Sequence, residues 1–564
     1  MNQEKLINYM YTNKKIKYTL WLLVVAVFAF TSCKDELWNE HYNTEQNTST
    51  VTLMEAIDAK PELSKFAEIL RKTGYDKVLA SSQTYTVWAP TNDALAAGID
   101  TDTLERFVKN HIARFNYSTA DLVVKNSVRI RMLNGKGNTF SSLNGIVTFG
   151  DANLIQKDFV TKNGVLHTID HQVNFFQNTW ENIKSITGLD SISKYLTSFD
   201  EYLFDAASST EIGTSPQGIV YDSVFLYSNN WLSKYGRLQL EDSVYTMILP
   251  DETAWNEAYS RVKTYFKTYG EMTASTTTTK TFKPKSISSD SVQRVHTIQT
   301  IVQDLIFRGK LETFPPDSLV STNRNVFYQP AYLFDGAIKI PTSNGLIYKT
   351  SRLKHNPLQS FHKRIVVEAE KSTGREFANA TLFTRLSTNE SFISLISEKK
   401  YIELQPSANN PNFQPEVSVE IPNTLAAKYN IYCVMVPAYE RDTAMVFDTK
   451  LNKYRYTNDS TKVSFQLTYV GADGIMKTNS AITVDPVTNQ AFVTSSKKMS
   501  TFLVAKNFVF PFANFNASPF WQSGTKLNTV KIKVKANVNN TDFTAGKYTR
   551  NLRVDCFILE PVNE

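Results

Sequence analysis

The chain has 564 residues, of which 42% are hydrophobic and 20% are charged, and its formal net charge is +7. This composition is that of globular domains and excludes a mainly disordered chain. The length exceeds what one hydrophobic core normally serves, so several domains are expected. The positive excess is small and unclustered, which argues against a nucleic-acid partner. Three cysteines provide no disulfide framework, so stability has to come from full-sized cores.

Residues 1–32 have the pattern of a secretory signal peptide. Lysines precede an uninterrupted apolar run from Leu20 to Phe30, and small residues follow it. The run is shorter than the roughly 20 apolar residues that a membrane-spanning helix needs. Its Phe-Thr-Ser-Cys ending resembles a bacterial lipobox, so the mature chain is expected to begin at a lipidated Cys33. An uncleaved anchor or a buried hydrophobic helix is the alternative.

The residues after Cys33 indicate where the lipoprotein would be sent. Lys34, Asp35 and Glu36 resemble the acidic export signal that certain Gram-negative lipoproteins carry directly after the lipidated cysteine. Residues 33–50 are polar and are expected to act as a flexible tether. We therefore expect a lipid-anchored protein on the outer membrane of a Gram-negative bacterium, exposed at the cell surface.

An internal repeat follows the tether. Tyr85–Ala94 is matched by Tyr245–Ala254, and Asn163–Leu166 is matched by Asn344–Ile347. The order of the matches is kept while the second copy is longer between them, so it contains insertions. The low-complexity run Thr276–Thr279 reads as an exposed loop in one of these insertions.

The first copy predicts a mixed α/β unit. Tyr85–Trp88 is a short β-prone run, and Thr91 or Asn92 can cap a helix directly after it. Thr103–Phe115 has the periodicity of an amphipathic helix. Gly164 supplies the positive φ of a tight turn before a closing strand. The unit therefore begins with a strand that turns into a helix and ends with a second strand.

These segments resemble the fasciclin domains, whose signatures are the strand-to-helix turn, a central histidine where His111 stands, and a closing strand. The resemblance covers residues 51–176 and implies a structural role for His111. Residues 177–362 resemble a diverged fasciclin domain with insertions, in which Tyr348 replaces His167 and His296 matches His111 only loosely.

Residues 363–564 change to alternating β-strands separated by Asn, Gly and Pro, which is a β-sandwich pattern. Strands are predicted at Arg364–Ala369, Val417–Ile421, Tyr429–Val436, Val463–Tyr469, Val530–Val534 and Leu552–Leu559. The first, central and last of them resemble strands of the galactose-binding-like jelly rolls common in carbohydrate-binding modules. Cys433 and Cys556 fall in two of these strands, either as small buried hydrophobes or as a disulfide between neighbouring strands. The expected fold class is therefore α+β, with two fasciclin-like domains and an all-β jelly-roll sandwich.

No catalytic residues, metal ligands or cofactor are predicted. The chain has no Gly-x-Ser-x-Gly, His-Glu-x-x-His or Cys-x-x-Cys motif. His167 and His171 have a four-residue spacing, but on a strand this places them about 13 Å apart, too far to share a metal ion. Gly213 and Gly218 have the glycine spacing of a phosphate loop without its Lys-Ser/Thr. Catalysis by a pair of carboxylates has no fixed sequence motif and is therefore not excluded by these patterns.

One segment of the sandwich is unusually rich in aromatic residues interleaved with asparagines. Flat apolar faces with oriented polar groups suit sugar recognition or a protein interface, while core packing is the alternative. The candidate recognition surface comprises Phe508, Phe510, Phe512, Phe515, Phe520 and Trp521.

Two classes of function compete. The first is a non-catalytic surface lipoprotein that binds proteins or glycans, either as an accessory subunit of a SusC/SusD-type outer-membrane importer or as an adhesin. The second is a surface glycan-active enzyme of unrecognised type. The missing catalytic motifs favour the first class, but the sequence does not identify the ligand or the partner.

Overall fold

The computed structural model describes residues 49–95, 103–215, 218–268, 272–274, 282–284, 289–408, 410, 412–441, 445–448, 453–456, 460–514 and 530–563. The chain divides into two compact units, residues 1–175 and 176–564. No described helix is long and apolar enough to cross a membrane. Several predicted features lie outside the described residues, namely the signal peptide, Cys33, Lys34, Asp35, Glu36 and Thr276–Thr279.

The first unit packs short helices against a mixed sheet whose strand order, in the described residues, is β2-β1-β7-β6-β5-β4-β3. Its first helix begins with a capping box between Thr52 and Glu55. The helices are α1 (Leu53–Asp58), α2 (Ser64–Lys72), α3 (Tyr75–Leu79), α4 (Leu104–Asn110) and α5 (Asp121–Lys125). The strands are β1 (Tyr85–Pro90), β2 (Ile112–Arg114), β3 (Ser127–Arg131), β4 (Gly137–Leu143), β5 (Ile146–Phe149), β6 (Ala152–Thr161) and β7 (Gly164–Ile169).

Asn163 and Gly164 connect the closing strand of the first unit to its helices and to β1. The Asn163 side chain accepts a hydrogen bond from Leu53 N at 2.8 Å and donates to Leu79 O at 2.8 Å. Gly164 then begins β7, which runs parallel to β1 with Gly164 opposite Tyr85. Its φ is 155°, and a β-carbon there would lie 1.9 Å from Tyr85 O. The predicted need for glycine at position 164 is confirmed. Two reasons require it: the positive φ, and the close approach of β7 to β1, which leaves no space for a β-carbon.

The second unit begins with the second repeat. Its sheet order in the described residues is β15-β12-β19-β18. The helices are α6 (Thr179–Ser185), α7 (Asp190–Thr197), α8 (Asn230–Tyr235), α9 (Glu252–Tyr265), α10 (Ser289–Val302), α11 (Ala331–Phe334) and α12 (Pro357–Ser360). The strands are β8 (Asp200–Phe204), β9 (Thr210–Ser215), β10 (Gly218–Asp222), β11 (Phe225–Asn229), β12 (Tyr245–Pro250), β13 (Met272–Ala274), β14 (Phe282–Pro284), β15 (Ile306–Arg308), β16 (Ser318–Val320), β17 (Val326–Tyr328), β18 (Ile338–Thr342) and β19 (Gly345–Thr350).

The internal repeat extends to individual hydrogen bonds. Asn344 accepts from Thr179 N at 2.9 Å and donates to Leu238 O at 2.8 Å, as Asn163 does in the first copy. β12 runs parallel to β19 with Tyr245 opposite Gly345. The capping box of the first copy recurs as well, because α6 begins with one between Asn178 and Glu181. The alignment of the two copies is therefore confirmed over these landmarks.

Two sequence predictions about the repeats are wrong. The predicted helix Thr103–Phe115 ends at Asn110, because the backbone from Ile112 onward pairs with β1 as β2. His296 does not correspond to His111: Trp88 N donates to His111 O, and the equivalent bond in the second repeat joins Ile248 N to Leu305 O. The counterpart of the central histidine is therefore a leucine.

A β-sandwich of two antiparallel sheets completes the second unit. In the described residues, the first sheet has the order β22-β23-β32-β25-β30 with β20 also paired to β32, and the second has the order β21-β24-β31-β28-β29. The elements are β20 (Ile365–Glu368), β21 (Glu376–Ala378), β22 (Ala380–Leu386), β23 (Lys400–Pro406), β24 (Glu416–Glu420), β25 (Lys428–Met435), β26 (Met445–Asp448), β27 (Lys453–Tyr456), β28 (Val463–Val470), β29 (Met476–Thr478), β30 (Ser500–Val509), β31 (Lys531–Ala536), α13 (Asn540–Thr544) and β32 (Leu552–Pro561).

The sandwich and the second repeat share one hydrophobic core. Its buried members include Phe266 of the repeat and Tyr429 of the sandwich. The ring of His362, at the predicted domain boundary, packs edge-on against Tyr429 with 5.0 Å between ring centroids. Ala426 N also donates to Tyr265 O at 2.8 Å. These contacts make the predicted boundary a packed junction.

Candidate functional site

An open groove lies on the outer face of the first sheet of the sandwich. Strands β20, β32, β25 and β30 are neighbours there, and their register aligns Val366 with Ile558 and Cys556 with Val434 on that face. The wall opposite the sheet comes from the segment between β22 and β23. The groove has a volume of about 430 Å³ and is lined by Arg364, Val366, Ser394, Leu395, Ile396, Ser397, Val434, Met499, Thr501, Asp555, Cys556 and Ile558.

The groove combines an aliphatic floor with a polar rim. Val366, Val434 and Ile558 form the floor, and Arg364 stands at the rim in an ion pair of 2.7 Å with Glu560. Ligand-binding clefts typically have this volume and this mixture of apolar surface and a few polar groups. The groove is therefore suited to a small or extended ligand with both apolar and polar faces.

A cluster of buried acidic groups closes one end of the groove. One oxygen each of Glu368 and Asp555 and the thiol sulfur of Cys556 lie within 4.8 Å of one another. Ser397 holds the cluster in place, because its backbone N–H donates to Asp555 at 3.1 Å and its hydroxyl donates to Glu368 at 2.6 Å. A register shift of β32 against β25 leaves Asp555 unpaired in the ladder, as bulges near functional sites often do.

The carboxylates of this cluster are poorly compensated. Buried oxygens without a hydrogen-bond partner are found on Glu368 and on the nearby Glu370. Burial raises the pKa of Asp555 to about 7, and the charges of Glu368 and Glu370 act in the same direction. Burial also raises the pKa of Glu370. A buried carboxylate oxygen without a partner is costly, so a positively charged ligand would compensate the cluster.

These groups fit a hard divalent cation. Carboxylate oxygens are the ligands that Ca²⁺ prefers. Burial and the neighbouring Asp555 raise the pKa of the Cys556 thiol. The sequence predicts no metal ligands, because Glu368 and Asp555 come from the first and last strands of the sandwich. The sequence carries one signal, the pair Glu368 and Glu370 at the end of the predicted strand Arg364–Ala369.

The predicted aromatic surface is corrected in part. Phe510 is only 1% exposed and lies in the core of the second unit, with Phe508 packed against it at 4.9 Å between ring centroids. Both rings face the sandwich interior, so core packing describes them. Phe512 is half-buried beneath the ammonium group of Lys267. Outside the described residues lie the other three members, Phe515, Phe520 and Trp521.

Two histidines of the first unit, His111 and His167, are structural. His111 is fully buried, donates from Nδ1 to Phe107 O at 2.9 Å and accepts from Val173 N at Nε2 at 3.0 Å. His167 is also buried and stacks on Trp88 with 5.5 Å between ring centroids. Because both ring nitrogens of His111 are used in the neutral form, the predicted core role of this residue is confirmed.

Cys433 and Cys556 are free and buried. They occupy neighbouring strands, but Cys433 lies opposite Phe557 and Cys556 lies opposite Val434. Successive residues of a strand point to opposite faces of the sheet, so the two thiols are on different sides. The interpretation as small buried residues is confirmed, and no disulfide joins them.

Comparison with known proteins identifies one domain. The fasciclin-domain family model matches residues 61–173. This part of the first unit is therefore a fasciclin domain, with the mixed α/β fold described above. No curated protein matches the chain.

The solved structures with similarity to the chain include a fasciclin domain pair and carbohydrate-binding modules. A FAS1 domain pair from the insect cell adhesion molecule fasciclin I is 12% identical, covers 53% of this chain and 98% of its own, and has a TM-score of 0.21. A xylan-binding domain of carbohydrate-binding module family 22 is 9% identical, with coverages of 36% and 94% and a TM-score of 0.20. TmCBM61, solved with β-1,4-galactotriose, is 9% identical, with coverages of 36% and 90% and a TM-score of 0.14.

Proposed function

We propose that this protein is a non-catalytic, lipid-anchored surface protein that binds a glycan chain in the groove of its sandwich. The observation that carries the proposal is the open groove of about 430 Å³, with its aliphatic floor and polar rim. A sugar ring offers an apolar C–H face and a ring of hydroxyl groups. Val366 and Val434 suit the first, while Ser394 and Thr501 suit the second.

The rest of the chain supports a role in holding partners. The fasciclin domain at residues 61–173 resembles domains that mediate adhesion and protein contacts. The signal peptide with Cys33 supports attachment to the outer membrane. In this proposal, the protein is an accessory subunit that delivers glycan to a SusC/SusD-type importer. A surface adhesin is the second candidate, favoured by the fasciclin domain.

Filling the groove tests the glycan-binding proposal. Val366→Trp places an indole in the groove, whereas Val509→Trp places one on an exposed site at the other end of the same sheet. On a glycan array and by calorimetry with the best ligand, Val366→Trp is expected to lose at least about tenfold in affinity, a loss of about 1.4 kcal/mol. Val509→Trp is expected to bind as the wild type does.

Three results would contradict the proposal. Equal binding by wild type and Val366→Trp would exclude the groove as the site. If the protein binds no glycan on the array but cells need it to attach to a surface, the adhesin would be favoured. Release of reducing ends from the bound glycan by the purified protein would favour a glycan-active enzyme.

A further inference from the structure

A β-arm interrupts the second repeat at residues 198–229. In the first repeat, the corresponding helices α2 and α3 are joined by Thr73 and Gly74 alone. In the second repeat, α7 and α8 are separated by strands β8 to β11, which form two successive two-stranded ladders, β8 with β11 and β9 with β10. The fold of the repeat does not require this insertion, because the first copy closes without it.

The base of the arm is fixed by a polar network around Asp200. The carboxylate of Asp200 accepts hydrogen bonds from the Tyr227 hydroxyl at 2.7 Å and the Asn229 amide at 2.8 Å, and it pairs with Lys184 at 3.1 Å. Asn229 also caps α8 by accepting from Leu232 N at 2.9 Å. The arm therefore leaves the repeat as a defined β-structure.

Both faces of the arm expose large apolar side chains. On one face, Phe204 lies opposite Phe225 with 5.9 Å between their ring centroids. On the other, Leu203 and Leu226 lie opposite each other and are 59% and 56% exposed. Ile212, farther along, is 64% exposed. Contiguous apolar surface of this kind is rare on monomeric proteins and marks interaction sites.

The arm also carries a one-sided charge. Between residues 198 and 229 the sequence has five acidic residues and no lysine or arginine, although the whole chain is net positive. Glu201, Glu211 and Asp222 are exposed. Two arms brought together would place like charges side by side, and an anionic membrane surface would repel the arm. The charge instead complements a basic surface.

The strands of the arm are also able to accept a further strand. Among the described residues, β8 pairs only with β11, so each has one edge without a neighbouring strand. Such edges recruit extended segments, in which main-chain hydrogen bonds provide affinity and alternate side chains provide specificity.

We propose that the arm is a docking site for a partner protein that presents an extended segment containing both apolar residues and lysine or arginine, with the two kinds mixed on one face. Leu203 and Glu201 lie on the same face of β8, two residues apart, so an apolar residue of the segment would cover Leu203 and Leu226 and a cation two residues farther along would face Glu201. Asp222 in the second ladder adds to the negative charge of the arm. This site is separate from the glycan groove, and its occupation does not depend on glycan binding.

Synthetic peptides test this proposal directly. The probe is a fluorescein-labelled peptide of about nine residues in which lysine, valine and tyrosine are mixed on both faces of the extended chain, and its control has glutamate for every lysine. Fluorescence anisotropy with the full-length mature protein is expected to detect the lysine peptide only. Binding should weaken several-fold when NaCl is raised from 50 to 300 mM, because exposed charge pairs are screened.

Variants of the arm assign the binding to these residues. Leu226→Ser and the pair Glu201→Gln with Asp222→Asn should each weaken binding at least about tenfold. Leu386→Ser, at a similarly exposed leucine on the sandwich, should leave it unchanged. Replacing residues 198–229 by Thr-Gly should abolish binding while the thermal transition is retained. If that deletion unfolds the protein, the point variants decide.

Four results would overturn the proposal. Equal binding of the glutamate peptide would exclude charge complementarity, and equal binding by Leu226→Ser would exclude the arm. A dimer in sedimentation velocity that Leu226→Ser dissociates would identify a second copy as the occupant. Flotation with phosphatidylglycerol-containing vesicles that Leu226→Ser abolishes would identify the membrane.

Discussion

Gly164 and Gly345 occupy equivalent positions, where parallel strands bring a carbonyl oxygen within 1.9 Å and 1.8 Å of any β-carbon. Gly164→Val is expected to destabilise the first unit by more than about 2 kcal/mol, because β7 would have to separate from β1. Gly145→Val is the control: its φ is 82° and its surroundings are open, so only backbone strain of about 1–2 kcal/mol is expected. Urea unfolding of both variants measures the difference, and equal losses would contradict the close-approach argument.

His111 makes the stability of the first unit depend on pH. Burial lowers its pKa from 6.5 to about 4. The unfolded chain therefore binds a proton between pH 6.5 and 4 that the folded chain does not. The stabilising contribution of neutral His111 to the free energy of unfolding is therefore fully present above pH 6.5. It decreases as the pH falls, and by pH 4 the first unit has lost about 3 kcal/mol of stability.

Replacing His111 by glutamine should reduce the pH dependence of the first unit, and the part that remains should come from His167, whose pKa burial also lowers. The glutamine amide has a donor and an acceptor, as neutral histidine does, but no titration in this range. The free energy of unfolding of wild type and His111→Gln, measured at intervals from pH 7 to 4, should differ in slope. If the imidazole signal of His111 titrates near pH 6.5 in the folded protein, the expected lowering of its pKa is contradicted.

Single residues also show what the sequence predicts well. The need for glycine at Gly164 follows from a local pattern, because an Asn-Gly pair before a β-prone run indicates a tight turn. The core role of His111 follows from its apolar neighbours and from the fasciclin resemblance, although the helix predicted to carry it ends at Asn110. The aromatic run was ambiguous, since Phe508 and Phe510 have the same composition whether they face a core or a ligand. Only their contacts with Tyr469 of β28, on the second sheet, assign those two rings to the interior.

At the scale of elements, the carboxylate cluster predicts a stabilising cation. Millimolar Ca²⁺ is expected to raise the melting temperature of the second unit, because a ligand at 100 times its Kd stabilises the folded state by about 2.7 kcal/mol. Glu368→Gln should abolish the shift. Glu420→Gln, on the second sheet of the sandwich, should keep it.

Differential scanning fluorimetry with Ca²⁺, Mg²⁺, Zn²⁺ and EGTA measures this response. A shift with Zn²⁺ alone would point to the Cys556 thiolate in place of the carboxylates. No shift with any cation would show that the unpartnered oxygens of Glu368 and Glu370 are tolerated without a ligand.

The sandwich shows which strands the sequence predicts and which features it does not. Regular alternation located β20, β24, β25, β28, β31 and β32 within a few residues. β30 was missed because its ladder with β25 contains two register shifts, which break the alternation. The groove was missed for a different reason: it requires β20 and β32, at opposite ends of the domain, to become neighbours, and local periodicity carries no information about pairing.

At the scale of the whole molecule, two repeats of common origin have diverged in what surrounds them. The first is a compact unit by itself. The second buries part of its surface in a core shared with the sandwich and carries the arm on another part. Insertion has therefore given the second copy an arm that its sequence signature does not indicate.

The last prediction concerns where this molecule works. If Cys33 carries the lipid, Cys33→Ala should release the chain from the membrane fraction. A chain that is exported by its signal peptide but receives no acyl group has no attachment to the membrane. Changing Lys34, Asp35 and Glu36 to alanine should retain the lipid but remove protease accessibility on intact cells. Fractionation, metabolic labelling with palmitate and protease shaving measure these outcomes. Membrane retention of Cys33→Ala without label would contradict the anchor, and unchanged shaving of the triple variant would contradict the export signal.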